Sequence, residues 1–168
     1  MAQLDEALAE NRVLIVWHSR TGAARQMARA AAQGAGERGR LLRAANVSIG
    51  DMLSAAGYIF CCPENLGTMT GEMKEMFDRC FYPLLGLVEG RPYATLVAAG
   101  SDGQGAQAQI DRIVTGWRLK RVVEPFILNT AAQTPEAILA PKQISEPDLA
   151  RCREVGAAFA EGLALGVF

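Results

Sequence analysis

The sequence holds one histidine, four cysteines with no C-x-x-C spacing, and no surplus of either charge. Zinc sites of familiar geometry draw on Cys and His clusters at set intervals, and a chain with a single histidine assembles none of them. Cys61, Cys62, Cys80 and Cys152 stand apart, and Cys61-Cys62 falls inside an apolar run. They read as buried, reduced thiols of a cytosolic protein. Lys and Arg number 17 against 18 Asp and Glu, a formal net charge of −1. The clustered basic footprint of nucleic-acid binders is missing. The densest basic run, Arg118-Leu119-Lys120-Arg121, leads straight into a strand pattern and reads as a solvated helix end or strand entrance. No stretch approaches the roughly 18 uninterrupted apolar residues of a membrane span. Met1 to Asn11 carries Asp5, Glu6 and Glu10 and no long apolar core, so it does not read as a signal peptide. A soluble, cytoplasmic protein is expected.

What the chain does have is apolar residues in short blocks. Half of its 168 residues are hydrophobic and 21% are charged, as in globular proteins. One domain over 1–168 is expected, large enough to bury a core without disulfides or a metal. Val13 to Trp17 is a continuous apolar run, Gly57 to Cys62 an apolar strand, and Tyr93 to Ala99, with Thr95 as its one polar residue, another buried strand. Leu41 to Val47 is a weaker strand, interrupted by Arg43 and Asn46. Val122 to Leu128 is a fifth, which tolerates Pro125 only at a bend or an edge. Between them lie helical patterns. Met27, Ala28, Ala31, Ala32 and Ala35 mark the first, and Met73, Met76, Phe77 and Cys80 the next. Ala106, Ile110, Ile113, Val114 and Trp117 mark another, and Leu149, Cys152, Val155, Phe159 and Leu163 the last. Alternating strands and helices predict an α/β sandwich around a parallel sheet.

Ligands of parallel α/β sheets bind beyond the carboxyl ends of the strands. Three loops fall at such ends, 18–24, 63–71 and 100–105, and all are rich in glycine and polar residues. In the first, Ser19, Thr21 and Gly22 stand where a helix begins, a place suited to phosphate. Ser19 or Thr21 as a plain helix cap is the alternative. The second, Pro63 to Gly71, has two glycines with hydroxyl and amide groups, and Thr68 or Thr70 can cap the helix that follows. Glu64 is a lone carboxylate and reads as solvated rather than as a general base. The third has three glycines in six residues, so its backbone can approach a flat ligand; Asp102 as a cap is its plainer reading.

Three stretches carry a family resemblance: "VLIVWHSRTGAARQMA" from Val13, "GYIFCCPENLGTMTGEMKEMFDR" from Gly57, and "AAGSDGQGAQAQIDRI" from Ala98. They resemble the flavodoxin family, particularly its NAD(P)H-dependent FMN reductase and quinone reductase members. The second stretch, with its Pro-led loop and G-x-M-K, is the most specific. The resemblance implies a flavodoxin-like three-layer sandwich, a five-stranded parallel sheet of order 2-1-3-4-5, and bound FMN. It also implies that Ser19, Thr21, Gly22, Ala23 and Ala24 wrap the phosphate with Arg20 at the rim. Pro63, Glu64, Asn65, Leu66, Gly67 and Thr68 would line one side of the isoalloxazine, and Gly100, Ser101, Asp102 and Gly103 the other side or the pyrimidine end.

Two features depart from the family. Ala23 and Ala24 replace its usual Asn and Thr, removing a hydroxyl ligand worth about 1 kcal/mol. The 63–71 loop has no aromatic stacker; Trp17 and Tyr82 are the nearby candidates, with core packing the other reading of Trp17. The function implied is transfer of electrons from NADH or NADPH through FMN to a quinone or similar small acceptor. It needs no protein nucleophile or paired carboxylates. A flavodoxin-type electron carrier is the first alternative, though such carriers dock through strongly acidic surfaces. A non-enzymatic relative with weakened FMN binding is the second. Homo-oligomerisation, to a dimer or tetramer, would draw on Phe81 to Leu85 or Leu163 to Phe168, unless these pack on their own domain.

Overall fold

Seven strands and six helices alternate along residues 11–168, the part of the chain that this computed structural model describes. The acidic segment before Asn11 lies outside the described residues. Strand β1 (Val13–Trp17) leads to α1 (Ala23–Ala35), β2 (Gly39–Arg43), α2 (Ile49–Ser54), β3 (Gly57–Asn65) and the short β4 (Thr68–Met69). Helix α3 (Gly71–Leu84), β5 (Pro92–Ala99), α4 (Gln104–Gly116), β6 (Lys120–Arg121), β7 (Phe126–Asn129), α5 (Pro135–Leu139) and α6 (Glu146–Leu165) complete the order.

The sheet runs β2-β1-β3-β5 with all of these pairs parallel, and β6 and β7 share the outer edge of β5. β6 pairs with Pro92–Tyr93 and β7 with Leu96–Ala99. The two are one strand broken around Pro125, which has no N–H to give the ladder. The expected order of a flavodoxin-like sheet is therefore present, with the fifth strand in two pieces. β4 is an addition, a two-residue antiparallel return on the end of β3. The second strand also differs from expectation. It starts at Gly39 and stops at Arg43, and 44–46 turn in a 3-10 helix.

The period-2 alternation of β3 shows why both faces are covered. Tyr58, Phe60 and Cys62 face one layer with Met73, Met76, Phe77 and Trp117. Ile59 and Cys61 face the other with Met27, Ala28, Ala31 and Phe159. Phe60, Phe77, Trp117 and Phe81 form a chain of ring contacts with neighbouring centroids 5.0–5.7 Å apart. All four cysteines are free and buried. Burial pushes the Cys62 and Cys152 thiols up to about 12 and Cys61 well above its ordinary value, which leaves them poor nucleophiles. Phe81 stacks on Trp117 and Phe168 meets Phe159 at a tilt while staying partly exposed, whereas Tyr82, Leu85, Leu165 and Val167 stay exposed. No helix of the described residues is long and apolar enough to cross a membrane.

Candidate functional site

The ends of β1, β3 and β5 bring the three loops to one edge of the sheet, and side chains tie them together. Gly22 is the N-cap of α1 with φ +96°, a conformation that costs glycine nothing. The Ser19 hydroxyl accepts from Gly22 N–H at 3.0 Å. Ser19 thus folds the loop and does not cap the helix, and α1 has no side-chain cap at all. The first-turn amides of a helix lack intrahelical acceptors, and Ala23 lines a cleft with Arg20 and Thr21. Ala24 itself is fully buried, its carbonyl accepting from the Cys61 thiol at 3.2 Å.

Arg20 reaches across to the second loop, its Nη1 donating to Asn65 Oδ1 at 2.7 Å. That loop is a hairpin. Leu66 and Gly67 both have positive φ, +53° and +75°, the signature of a two-residue turn whose twist matches its strands. Leu66 is 94% exposed at the tip. Thr70 is the N-cap residue of α3 but its hydroxyl makes no cap bond, being bonded to His18 Nδ1 at 2.8 Å, and Thr68 donates to the Asn65 and Met69 carbonyls.

The third loop corrects two expectations. Gly103, at φ +87°, is the N-cap of α4, and Asp102 is not the cap. The acceptor comes from Glu64 instead. Its Oε1 accepts from Gly103 N–H at 2.9 Å and its Oε2 from Ala106 N–H at 3.0 Å. Glu64 is therefore a bound carboxylate, not a solvated one. Gln109 Oε1 also accepts from Met69 N–H at 3.0 Å, fixing the hairpin to α4.

These ties enclose a cleft of ≈ 140 Å³, with Pro63, Glu64 and Asn65 on one wall and Ala98, Ala99 and Gly100 on another. Ile138, Leu139 and Lys142 close it from the far side. A second cleft of ≈ 360 Å³ flanks the first loop and shares Arg20, Thr21 and Leu139 with it. Ser19, Gly22, Trp17, Arg25 and Arg43 also line it, so three arginines border the turn, Arg43 being paired with Glu72 behind it. Ala24, Leu66, Gly67, Thr68, Ser101, Asp102 and Gly103 line neither cleft.

Three parts of the site escaped sequence reasoning. The segment after β7 forms α5, capped by Thr134, and crosses back over the first loop. Lys142 N–H donates to the Thr21 carbonyl at 2.8 Å. Gln26 Nε2 donates to the carbonyls of Gly22 and Lys142, and its Oε1 accepts from Ile144 N–H. Lys142 Nζ gathers the carbonyls of Ala137, Ile138 and Ala140 at the end of α5, a favourable place for a cation. The other two are Arg25, and Arg43, read only as an interruption of β2.

His18 borders this edge. Its Nε2 lies 3.6 Å from Glu72, which Arg43 holds by two bonds of 2.8 and 3.0 Å. Burial holds the imidazole below its ordinary value, with Glu72 opposing and Arg43 and Arg20 adding to the shift. The Arg43 hydrogen bond holds the Glu72 carboxyl down in turn.

A parallel sheet of this order, with three glycine-rich loops meeting beyond its carboxyl edge, defines a flavodoxin-like α/β protein. The model of the NADPH-dependent FMN reductase family matches residues 43–131, over half of the chain, and the chain belongs to that family. The match takes in the second and third loops and not the first. A flavodoxin of Aquifex aeolicus (strain VF5) is 27% identical over 165 residues, covering 93% of this chain and 89% of that one. Among solved structures, a flavodoxin from the domain Archaea superimposes with a TM-score of 0.74 at 15% identity, covering 90% and 98% of the two chains. A WrbA-like flavodoxin from Agrobacterium tumefaciens does so at 0.69 and 18%, covering 92% and 98%. The cofactor of the family is FMN. The donor set fits it, with a first-turn amide, hydroxyls and guanidinium groups for a phosphate beside a cleft lined by Pro63, Ala98, Ala99 and Gly100.

Proposed function

We propose that the chain is a single-domain FMN-dependent oxidoreductase that takes electrons from NADH or NADPH and passes them to a quinone or similar small acceptor. The observation that carries this reading is the tying of three strand-end loops around one cleft by Arg20–Asn65 and Glu64–Gly103. The amide of Ala23 and the hydroxyls of Ser19 and Thr21 hold the phosphate, in a turn that the Ser19–Gly22 bond shapes. Arg20 and Arg25 supply countercharge, since Arg43 is already paired with Glu72. Guanidinium bonds to phosphate are charge-assisted and about twice as strong as neutral ones, so they offset the hydroxyl lost at Ala24. Pro63 to Asn65 and Ala98 to Gly100 flank the ring.

FMN, when bound, supplies the hydride and electron chemistry. The chain binds, orients and shields it. The ≈ 140 Å³ cleft is below the roughly 300–1,000 Å³ of small-molecule sites, and the exposed Ile138 and Leu139 at its border are the side chains expected to give way to the ring. A carrier role is the second reading, favoured by the likeness to a flavodoxin. NADH or NADPH oxidation by the FMN-loaded protein with a soluble quinone separates the two. Turnover supports the reductase, and an FMN-loaded protein that neither nucleotide reduces is a carrier.

A further inference from the structure

Glu64 stands at the end of β3, yet its acceptor oxygens serve a helix that starts some forty positions later. Gly103 has no side chain with which to cap α4, and Oε1 and Oε2 of Glu64 take the N–H groups of Gly103 and Ala106 instead. Gly105 makes the approach possible, since a Cβ there would run into the Gly67 carbonyl and meet Glu64 Oε2 at 3.2 Å. The same carboxylate borders the cleft opposite Ala98, Ala99 and Gly100.

The start of a helix carries roughly half a positive charge and favours an anion placed on it. In this chain Glu64 takes that place. The amides of Gly103 and Ala106 are engaged within the protein, and a carboxylate stands in the cleft wall. Oxidised FMN takes up two electrons and one proton to give a ring that carries a negative charge. A fixed carboxylate beside the seat opposes that charge and leaves the neutral oxidised ring nearly unaffected.

Building on the FMN reading above, we propose that Glu64 is a positioning residue. It clasps the second and third loops together and, through its charge, lowers the reduction potential of FMN bound between them. Glu64→Gln tests this, because it keeps the shape and one acceptor oxygen while removing the charge. Full-length wild type and E64Q, each loaded with FMN, are titrated anaerobically against a reference dye. The expected result is about a tenfold gain in affinity for reduced over oxidised FMN, a rise of about 30 mV in the two-electron midpoint. The amide resonances of Gly103 and Ala106 shift in E64Q without FMN, a readout independent of the flavin.

An E64Q potential equal to or below that of wild type overturns the proposal. So does an E64Q that folds but no longer takes up FMN, for then Glu64 holds the flavin and does not set its potential. Unshifted Gly103 and Ala106 amides remove the clasp itself. A wild-type protein that binds no FMN removes instead the functional reading on which the proposal rests. Should E64Q not fold, Glu64→Asp keeps the charge and is expected to keep the wild-type potential; a raised potential in E64D contradicts the charge argument.

Discussion

Replacing Gln26 by Ala unfastens the segment that closes the site. The side chain makes three hydrogen bonds, to the Gly22 carbonyl at 3.0 Å, the Lys142 carbonyl at 2.8 Å and the Ile144 N–H at 3.2 Å. Neutral hydrogen bonds contribute about 0.5–1.5 kcal/mol each. All three are only part-buried, so water replaces some of what is lost, and the expected loss is about 1.5–2.5 kcal/mol. For a chain of this length that is a fall in Tm of about 3–10 °C. Urea unfolding measures the loss, and amide hydrogen exchange locates it. The amides of Lys142 and Ile144 should exchange much faster, while those of β3 and β5 speed up only as far as the loss of global stability dictates. FMN should associate faster, because Ile138 and Leu139 are held less firmly over the cleft. A loss below about 0.5 kcal/mol, the range of inert surface changes, would refute the reasoning. So would exchange at 142 and 144 unchanged from wild type.

Gly105→Ala pushes a methyl against the Gly67 backbone, an overpacking that costs about 1–3 kcal/mol; because the hairpin must move, FMN affinity should fall by about tenfold or more, read by titration. Arg25 lines the basic cleft and has no carboxylate partner among the described residues. Arg25→Ala should leave Tm within about 2 °C of wild type, weaken FMN binding about 3–10-fold through a lost charge-assisted bond, and leave riboflavin binding, which involves no phosphate, unchanged. His18 is held below its ordinary value by burial, so the unfolded chain binds its proton more readily; stability should be full above about pH 6.5 and fall as pH drops below it. His18→Asn should remove that decline in a pH series of urea midpoints, leaving the separate loss at lower pH as Glu72, held down by Arg43, is protonated.

The strands and the three loops were legible because each depends on neighbours in the chain. Val13 to Trp17 is apolar throughout and Tyr93 to Ala99 nearly so because both faces are covered, and Pro125 announced the break that divides β6 from β7. What was missed depends on distant partners. Glu64 read as solvated since nothing within a helical turn pairs with it; its partners lie 39 and 42 positions away. Gln26 and Lys142 are 116 apart. Local signals for α5 were present in Thr134-Pro135, a hydroxyl cap followed by proline at the first helical position, but nothing local says that it folds back over the first loop. The β3–β4 hairpin was hidden by Leu66, since leucine rarely takes a left-handed conformation. Arg43 looked like a defect in a strand because β2 is an edge with half-exposed residues, and only the assembled sheet shows that it faces Ser19 and Thr21 across a cleft.

FMN binding is the claim on which the rest depends, and titrating the purified protein with FMN tests it most directly. Quenching of flavin fluorescence that saturates at one FMN per chain, with a yellow protein after gel filtration, is the predicted result. A colourless protein that leaves the fluorescence of added FMN unchanged would contradict it.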